Sequence, residues 1–287
     1  MTATQILSRV PAALKDLTRS FSGTVGLVLV GIFLLSSILA GFIAPRDPYQ
    51  QDAEAQLAKP SWTHPMGTDN LGRDIMSRVV YGTRISLQIG IMSVGIAIMV
   101  GLPVGLVCGY FGGRLDLAAM RIIDIMMSFP SILLAITVMA VLGPSLTNVM
   151  IAVGVVNIPL YTRQVRASVL GIRELDYVTA SRASGAGDFR ILLRTILPNV
   201  VSPVIVLATL GFGTAILEAA GLSFLGLGGE PDLPEWGNML TTTRQFIRQY
   251  PWVSIAPGVA ISLTVLGFSL LGDALRDILD PKSTRRG

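Results

Sequence analysis

Residues 85–108 read ISLQIGIMSVGIAIMVGLPVGLVC, a run without a single charged side chain. Inside a bilayer every backbone amide must be satisfied within its own segment, so a stretch this long and apolar reads as a helix crossing the hydrocarbon core, a crossing that takes about 20 residues. Five further windows of similar character lie at 24–44, 117–142, 145–160, 200–222 and 252–272. The fold class that follows is all-α, a polytopic membrane protein with six transmembrane helices. The 145–160 window is the weakest. It is short and holds Asn157 and Pro159, so it is expected to tilt, break or end early.

Composition supports this reading. The 287 residues are 51% hydrophobic and 14% charged, and the mean hydropathy of +0.64 lies well beyond the balance of a soluble domain. A net charge of +4 does not point to nucleic acid, because the basic residues sit at the ends of apolar windows rather than in a stripe with aromatics. The single cysteine, Cys108, excludes an intrachain disulfide and reads as a small core residue.

Lys and Arg orient the spans, since cytoplasmic flanks retain positive charge. With the N-terminus inside, fifteen basic residues fall on cytoplasmic segments, six of them between 161 and 199 (Arg163, Arg166, Arg173, Arg182, Arg190 and Arg194). Seven fall outside, five of those in one long loop. Both termini are therefore expected in the cytoplasm. Residues 1–23 place Ile6, Val10, Leu14 and Leu17 at helical spacing, as in an amphipathic helix on the membrane surface, and the apolar stretch that follows reads as a retained span rather than a cleaved leader.

No residue set points to catalysis by this chain. His64 is the only histidine, too few for a metal site, and the one serine worth pairing with it, Ser223, lies on another loop without a G-x-S-x-G elbow. No Gly-x-x-x-x-Gly-Lys-Ser/Thr loop occurs, so nucleotide would be bound elsewhere. Within the spans, Gly101, Gly105 and Gly109 repeat every four residues and offer a face for a close neighbour helix. Asp124 stands three residues after Arg121 and reads as an intrahelical pair. Glu218 is an acid inside a span, lining either a polar path or a partner contact. A stand-alone secondary transporter would need a coupling-ion site near the midplane, and the sequence offers few residues for one.

The segment from 161 to 199 is long for a loop inside a bundle. Asp176 can cap a short helix running through Tyr177, Val178, Ala180 and Ser181. Gly185 and Gly187 can end it, a second helical pattern follows in Phe189, Ile191, Leu192, Leu193 and Ile196, and Pro198 lets the next span begin.

Thr179-Ala180-Ser181, then Gly185, then Ile196-Leu197-Pro198 resembles the cytoplasmic loop of binding-protein-dependent ABC importer permeases, where a Glu-Ala-Ala triplet precedes a glycine and a Leu-Pro. Thr179 replaces the glutamate, so shape rather than a glutamate contact would carry docking. The stretches 64–74, 81–87, 222–228, 236–240 and 272–281 resemble the C-type subunit of the dipeptide, oligopeptide and nickel permease group.

That resemblance implies a type I permease fold with ATPase coupling on Asp176, Tyr177, Thr179, Ala180, Ser181, Ala183, Gly185, Ala186, Leu197 and Pro198. It also makes Met127, Phe129 and Glu218 candidates for the translocation path. The implied partners are a homologous B-type permease, two ABC ATPase subunits that hold ATP and Mg, an extracytoplasmic solute-binding protein and membrane lipid, with no nucleic acid. No cofactor, metal or catalytic residue is expected on this chain. The expected organisation is 1–23 surface helix, 24–84 first span and extracytoplasmic loop, 85–280 permease core with the coupling loop 161–199, and 281–287 cytoplasmic tail.

Overall fold

A computed structural model describes residues 17, 18 and 20–279. The surface helix expected before residue 17 and the tail 281–287 lie outside the described residues. Every regular element among the described residues is helical, and the loops add an isolated bridge between Thr68 and Asp74.

Helix α1 (Phe21–Ile38) begins where the Ser20 hydroxyl accepts from Gly23 N–H, and a short α2 (Ala40–Ile43) completes the first span. A loop, residues 44–74, follows. It ends at Asp74, whose carboxylate accepts from Ser77 N–H at 2.8 Å and starts α3 (Ile75–Phe111), a single 37-residue helix about 55 Å long. This helix begins ten residues before the expected window. Arg78 and Arg84 make the first turns look like loop, yet both guanidiniums are absorbed by backbone carbonyls of neighbouring segments.

Gly112, at φ +64°, ends α3 and leads into α4 (Gly113–Ser128). Between α4 and α5 (Ser131–Leu142) the axis turns by 98°. Pro130 forces Phe129 into an extended conformation and breaks what the sequence reads as one span. The fourth segment does the opposite of what was expected. Helix α6 (Leu146–Arg173) runs unbroken through Asn157 and Pro159 and continues thirteen residues past the window, because Tyr161, Val165 and Val169 are buried against α3.

Beyond it come α7 (Asp176–Ala183), α8 (Asp188–Ile191) and α9 (Leu197–Phe224), the last two joined by a π-helical stretch, Leu192–Ile196. Pro198 therefore does not start a span: helix runs continuously from Asp188 to Phe224. The wide turn, with Leu197 N–H bonded to Leu192 O, precedes a residue that has no N–H and whose ring crowds the preceding turn. Helix α10 (Trp236–Thr243) lies in the connection between α9 and α11 (Trp252–Leu279), which closes the bundle.

Among the described residues four helices are long and apolar enough to cross a membrane, those at 21–38, 75–111, 188–224 and 252–279, and the bent α4–α5 pair makes a fifth. The remaining expected segment, 145–160, falls on α6, long enough but polar over its second half. In the bundle α3 lies along α6, α9 touches α3, α6 and α11, and α1 packs on α11. The α3–α6 approach is close because of the glycine stripe. A Cβ added at Gly101, Gly105 or Gly109 would stand 2.7 Å from Tyr161 Cβ, Thr162 O or Val169 Cβ.

Candidate functional site

The segment expected to be a long cytoplasmic loop is mostly helix, with a short projecting element at its centre. Helix α7 has eight residues, too few to hold its shape alone. One side chain, Val178, is fully buried, in a cluster with Val165, Val169 and Tyr110; burying it is worth about 1.5–3 kcal/mol. Asp176 is the first helical residue rather than the cap, which is Leu175 and makes no side-chain bond; its charge still favours the helix N-terminus.

The C-terminus of α7 is fixed more firmly. Ala186 N–H reaches Ser181 O at 3.2 Å and Gly185 N–H reaches Arg182 O at 3.0 Å, a Schellman closure that puts Gly185 at φ +82°. Nothing stands within 4 Å of where a Gly185 Cβ would be, so that glycine is required by backbone conformation and not by crowding.

With Val178 as anchor, Asp176, Tyr177, Thr179, Ala180, Ala183 and Gly185 are exposed, and Ser181 and Ala186 half-buried. Leu197 and Pro198 lie beyond the π stretch, half-buried at the start of α9 rather than on the projecting element. Beside α7, Phe189 and Leu193 are exposed and border an open cavity of about 450 Å³ with Arg190 and Arg194. Neither arginine has an acidic partner among the described residues. The result is a short helix of small and polar residues next to apolar and cationic groups, all facing away from the bundle.

The remaining arginines of 161–199 are structural. Arg166 binds Asp116 of α4 through two hydrogen bonds of 2.6 Å, and Arg173 bonds Glu174 and the Gly109 carbonyl. Asp124 pairs across helices with Arg163 and not with Arg121, which corrects the intrahelical expectation. Arg182 donates to the Tyr110 hydroxyl, a bond that holds its pKa above the ordinary value.

Glu218 is half-buried on α9. Its carboxylate accepts from Asn157 Nδ2 at 2.8 Å and borders a cavity of about 230 Å³ with Ser131, Ile132, Ala135 and Val156. Met127 and Phe129, half exposed at the α4–α5 bend, are not among the residues lining that cavity.

At the opposite end of α3, buried arginines clamp the loop before α3 to the loop before α10. Arg73 bonds Asp69 at 2.7 Å and Asp232 at 2.9 Å, and Arg78 donates to the carbonyls of Pro48, Asp232 and Leu233. His64 Nδ1 lies 3.0 Å from Asp74 Oδ1. Buried Glu235 accepts from Gly237 and Asn238 N–H and caps α10; burial pushes its carboxyl above the usual range. The His64 ring is thus taken by Asp74, and no hydrogen bond joins it to Ser223, which removes the geometry a Ser–His hydrolase needs. Among the described residues no group of three or more His, Cys, Asp or Glu gathers as a metal site.

A bundle of apolar spans with a short helix displayed at one end defines the class, a multi-pass membrane protein. The chain belongs to the family described as the inner-membrane component of binding-protein-dependent transport systems, which it matches over residues 101–285; residues 12–60 match the N-terminal transmembrane domain of oligopeptide transport permease C. It is 48% identical over 270 residues to the dipeptide transport system permease protein DppC of Alkalihalophilus pseudofirmus, covering 94% of this chain and 89% of the relative. It is 44% identical over 282 residues to the di/tripeptide permease DppC of Pseudomonas aeruginosa, covering 95% and 93%. It is 46% identical over 260 residues to the glutathione transport system permease GsiD of Pectobacterium atrosepticum, covering 89% and 86%. In fold it resembles a chain of the MetNI methionine ABC transporter in an inward-facing conformation, with a TM-score of 0.59 and 22% identity over 72% of this chain and 98% of that one. The protein is a multi-pass, non-catalytic permease subunit of an ABC importer, and ATP is hydrolysed by its partner subunits. That membership replaces the stand-alone transporter reading.

Sequence reasoning missed three groups at these sites. Tyr110 and Asp188 meet across 78 positions, Arg173 reaches back to Gly109, and Asp124 finds Arg163. Only the regular glycine spacing in α3 hinted that its end lies beside the coupling segment.

Proposed function

We propose that this chain forms half of the transmembrane pathway of an importer for di- or oligopeptides in a bacterial inner membrane, with both termini cytoplasmic. It pairs with a homologous B-type permease, two ABC ATPases that hold ATP and Mg, and an extracytoplasmic solute-binding protein, and holds no cofactor itself. Relatives named for dipeptide and di/tripeptide transport support the solute class. Coupling falls on α7 and its flanks, Asp176 to Ala186 with Leu197 and Pro198, and Glu218, Met127 and Phe129 line the path. The first span and outer loop run from residue 24 to Asp74, short of the expected boundary at 84 because α3 already begins at Ile75, and the core follows.

The observation that carries the coupling assignment is the exposure of α7 around its single anchor, Val178: six of its eight residues are exposed and Ser181 is half-buried. ATP-driven closure of the ATPases would move this element and shift the spans between inward and outward states. The test is to purify the chain from native membranes with its partners, identify the solute-binding protein that accompanies it, and measure ATP-dependent uptake of labelled dipeptide into vesicles. Uptake that needs ATP and the binding protein supports the reading. Uptake by this chain alone ends it.

A further inference from the structure

Helix α3 ends beside the coupling segment, and one side chain there joins the two. Tyr110, buried in the last turn of α3, donates its hydroxyl to Asp188 Oδ1 at 2.6 Å; Asp188 opens α8 immediately after the α7 closure. The Arg182 guanidinium, at the end of α7, lies 5.9 Å from the centre of the Tyr110 ring. The other contacts between α7–α8 and the bundle are largely those of the Val178 and Ile191 cluster, which is apolar. Apolar contact is non-directional and lets surfaces slide, whereas a short hydrogen bond to a carboxylate fixes position.

We propose that Tyr110 is the positioning residue of coupling: its hydroxyl latches the α7–α8 element to α3, so that displacement of that element moves α3 instead of slipping past it. What moves α3 moves more than one helix. Its glycine stripe seats it against α6, and its far end, capped by Asp74, is built into the clamped loops. The proposal rests on the reading of α7 as the ATPase-docking element.

The experiment uses the complete importer in lipid nanodiscs with its ATPases, partner permease and loaded binding protein. Tyr110→Phe removes one oxygen and keeps the ring. Stimulation of ATP turnover by the loaded binding protein is expected to fall about tenfold, the effect of one bond to a charged group. The KM for ATP and the half-saturating concentration of binding protein should stay at native values, which a loss of fold would not allow. Asp188→Asn should lower stimulation too, and the double variant should be no worse than Tyr110→Phe alone. Native stimulation in Tyr110→Phe, or losses that multiply in the double variant, overturns the latch. Crosslinking from Thr179→Cys to the ATPases separates the two readings. No crosslink overturns docking and latch together; a crosslink with native stimulation in Tyr110→Phe overturns the latch alone.

Discussion

Gly105 of α3 and Val165 of α6 are in contact so close that a Cβ on Gly105 would lie 2.7 Å from Val165 Cβ and 2.7 Å from Thr162 O. Thr162 O is backbone and cannot step aside as a flexible side-chain tip would. Gly105→Val is therefore expected to separate the helices and cost about 1–3 kcal/mol, the range for overpacking. A thermal melt of the detergent-solubilised subunit checks this. A midpoint equal to native would mean that the two helices are not held at this distance.

Gly185 is constrained differently. Its φ of +82° is open to glycine and, at modest cost, to asparagine, while a β-branched residue is strained there whatever the space. Gly185→Val should abolish solute-stimulated ATP turnover and leave membrane insertion intact, while Gly185→Asn keeps most of the stimulation. Equal activity in both variants would show that the Schellman closure is not what presents α7.

Much of this architecture was legible in the sequence because lipid imposes long uncharged runs, and the ends of α2 and α5 and the start of α11 fall within a residue of where those runs stop or begin. Some errors turned on proline, which broke the expected 117–142 span at Pro130 and left α6 whole at Pro159; the others involved polar residues whose partners are distant. Arg78 and Arg84 hid the first turns of α3, and Arg163, Arg166 and Arg173 made the end of α6 look like loop, because local sequence does not show that Asp124, Asp116 and the Gly109 carbonyl wait for them. At the coupling site, the turn glycine and the helix before it follow from local rules. The Tyr110–Asp188 bond does not, since it depends on where α3 ends relative to α8.

Glu235 yields a prediction with a defined sign. Burial raises its carboxyl above the ordinary value of 4.5, and the N–H bonds from Gly237 and Asn238 oppose that rise. An acid whose folded pKa is raised adds stability that is fully present below its unfolded value and lost as pH climbs through the folded one. Native protein should gain thermal stability relative to Glu235→Gln as pH falls from 7.5 towards 4.5. The glutamine variant keeps an acceptor for the cap, whereas Glu235→Ala loses it at a cost of about 1 kcal/mol. Parallel pH profiles for native and Glu235→Gln would refute the burial argument.

Topology can be read with cysteines, because the native Cys108 is 1% exposed and gives a clean background. Trp62, in the loop before α3, is fully exposed, and Ala183 is exposed at the end of α7. If the arginine-rich end of the bundle faces the cytoplasm, Trp62→Cys reacts with a membrane-impermeant maleimide in intact spheroplasts. Ala183→Cys and Ser283→Cys should react only after the membrane is opened. The two loops lie at opposite ends of α3, a rod of about 55 Å, so no tilt of that helix can bring both to one face. Labelling of Ala183→Cys from outside would invert the protein and remove α7 from the reach of any cytoplasmic ATPase.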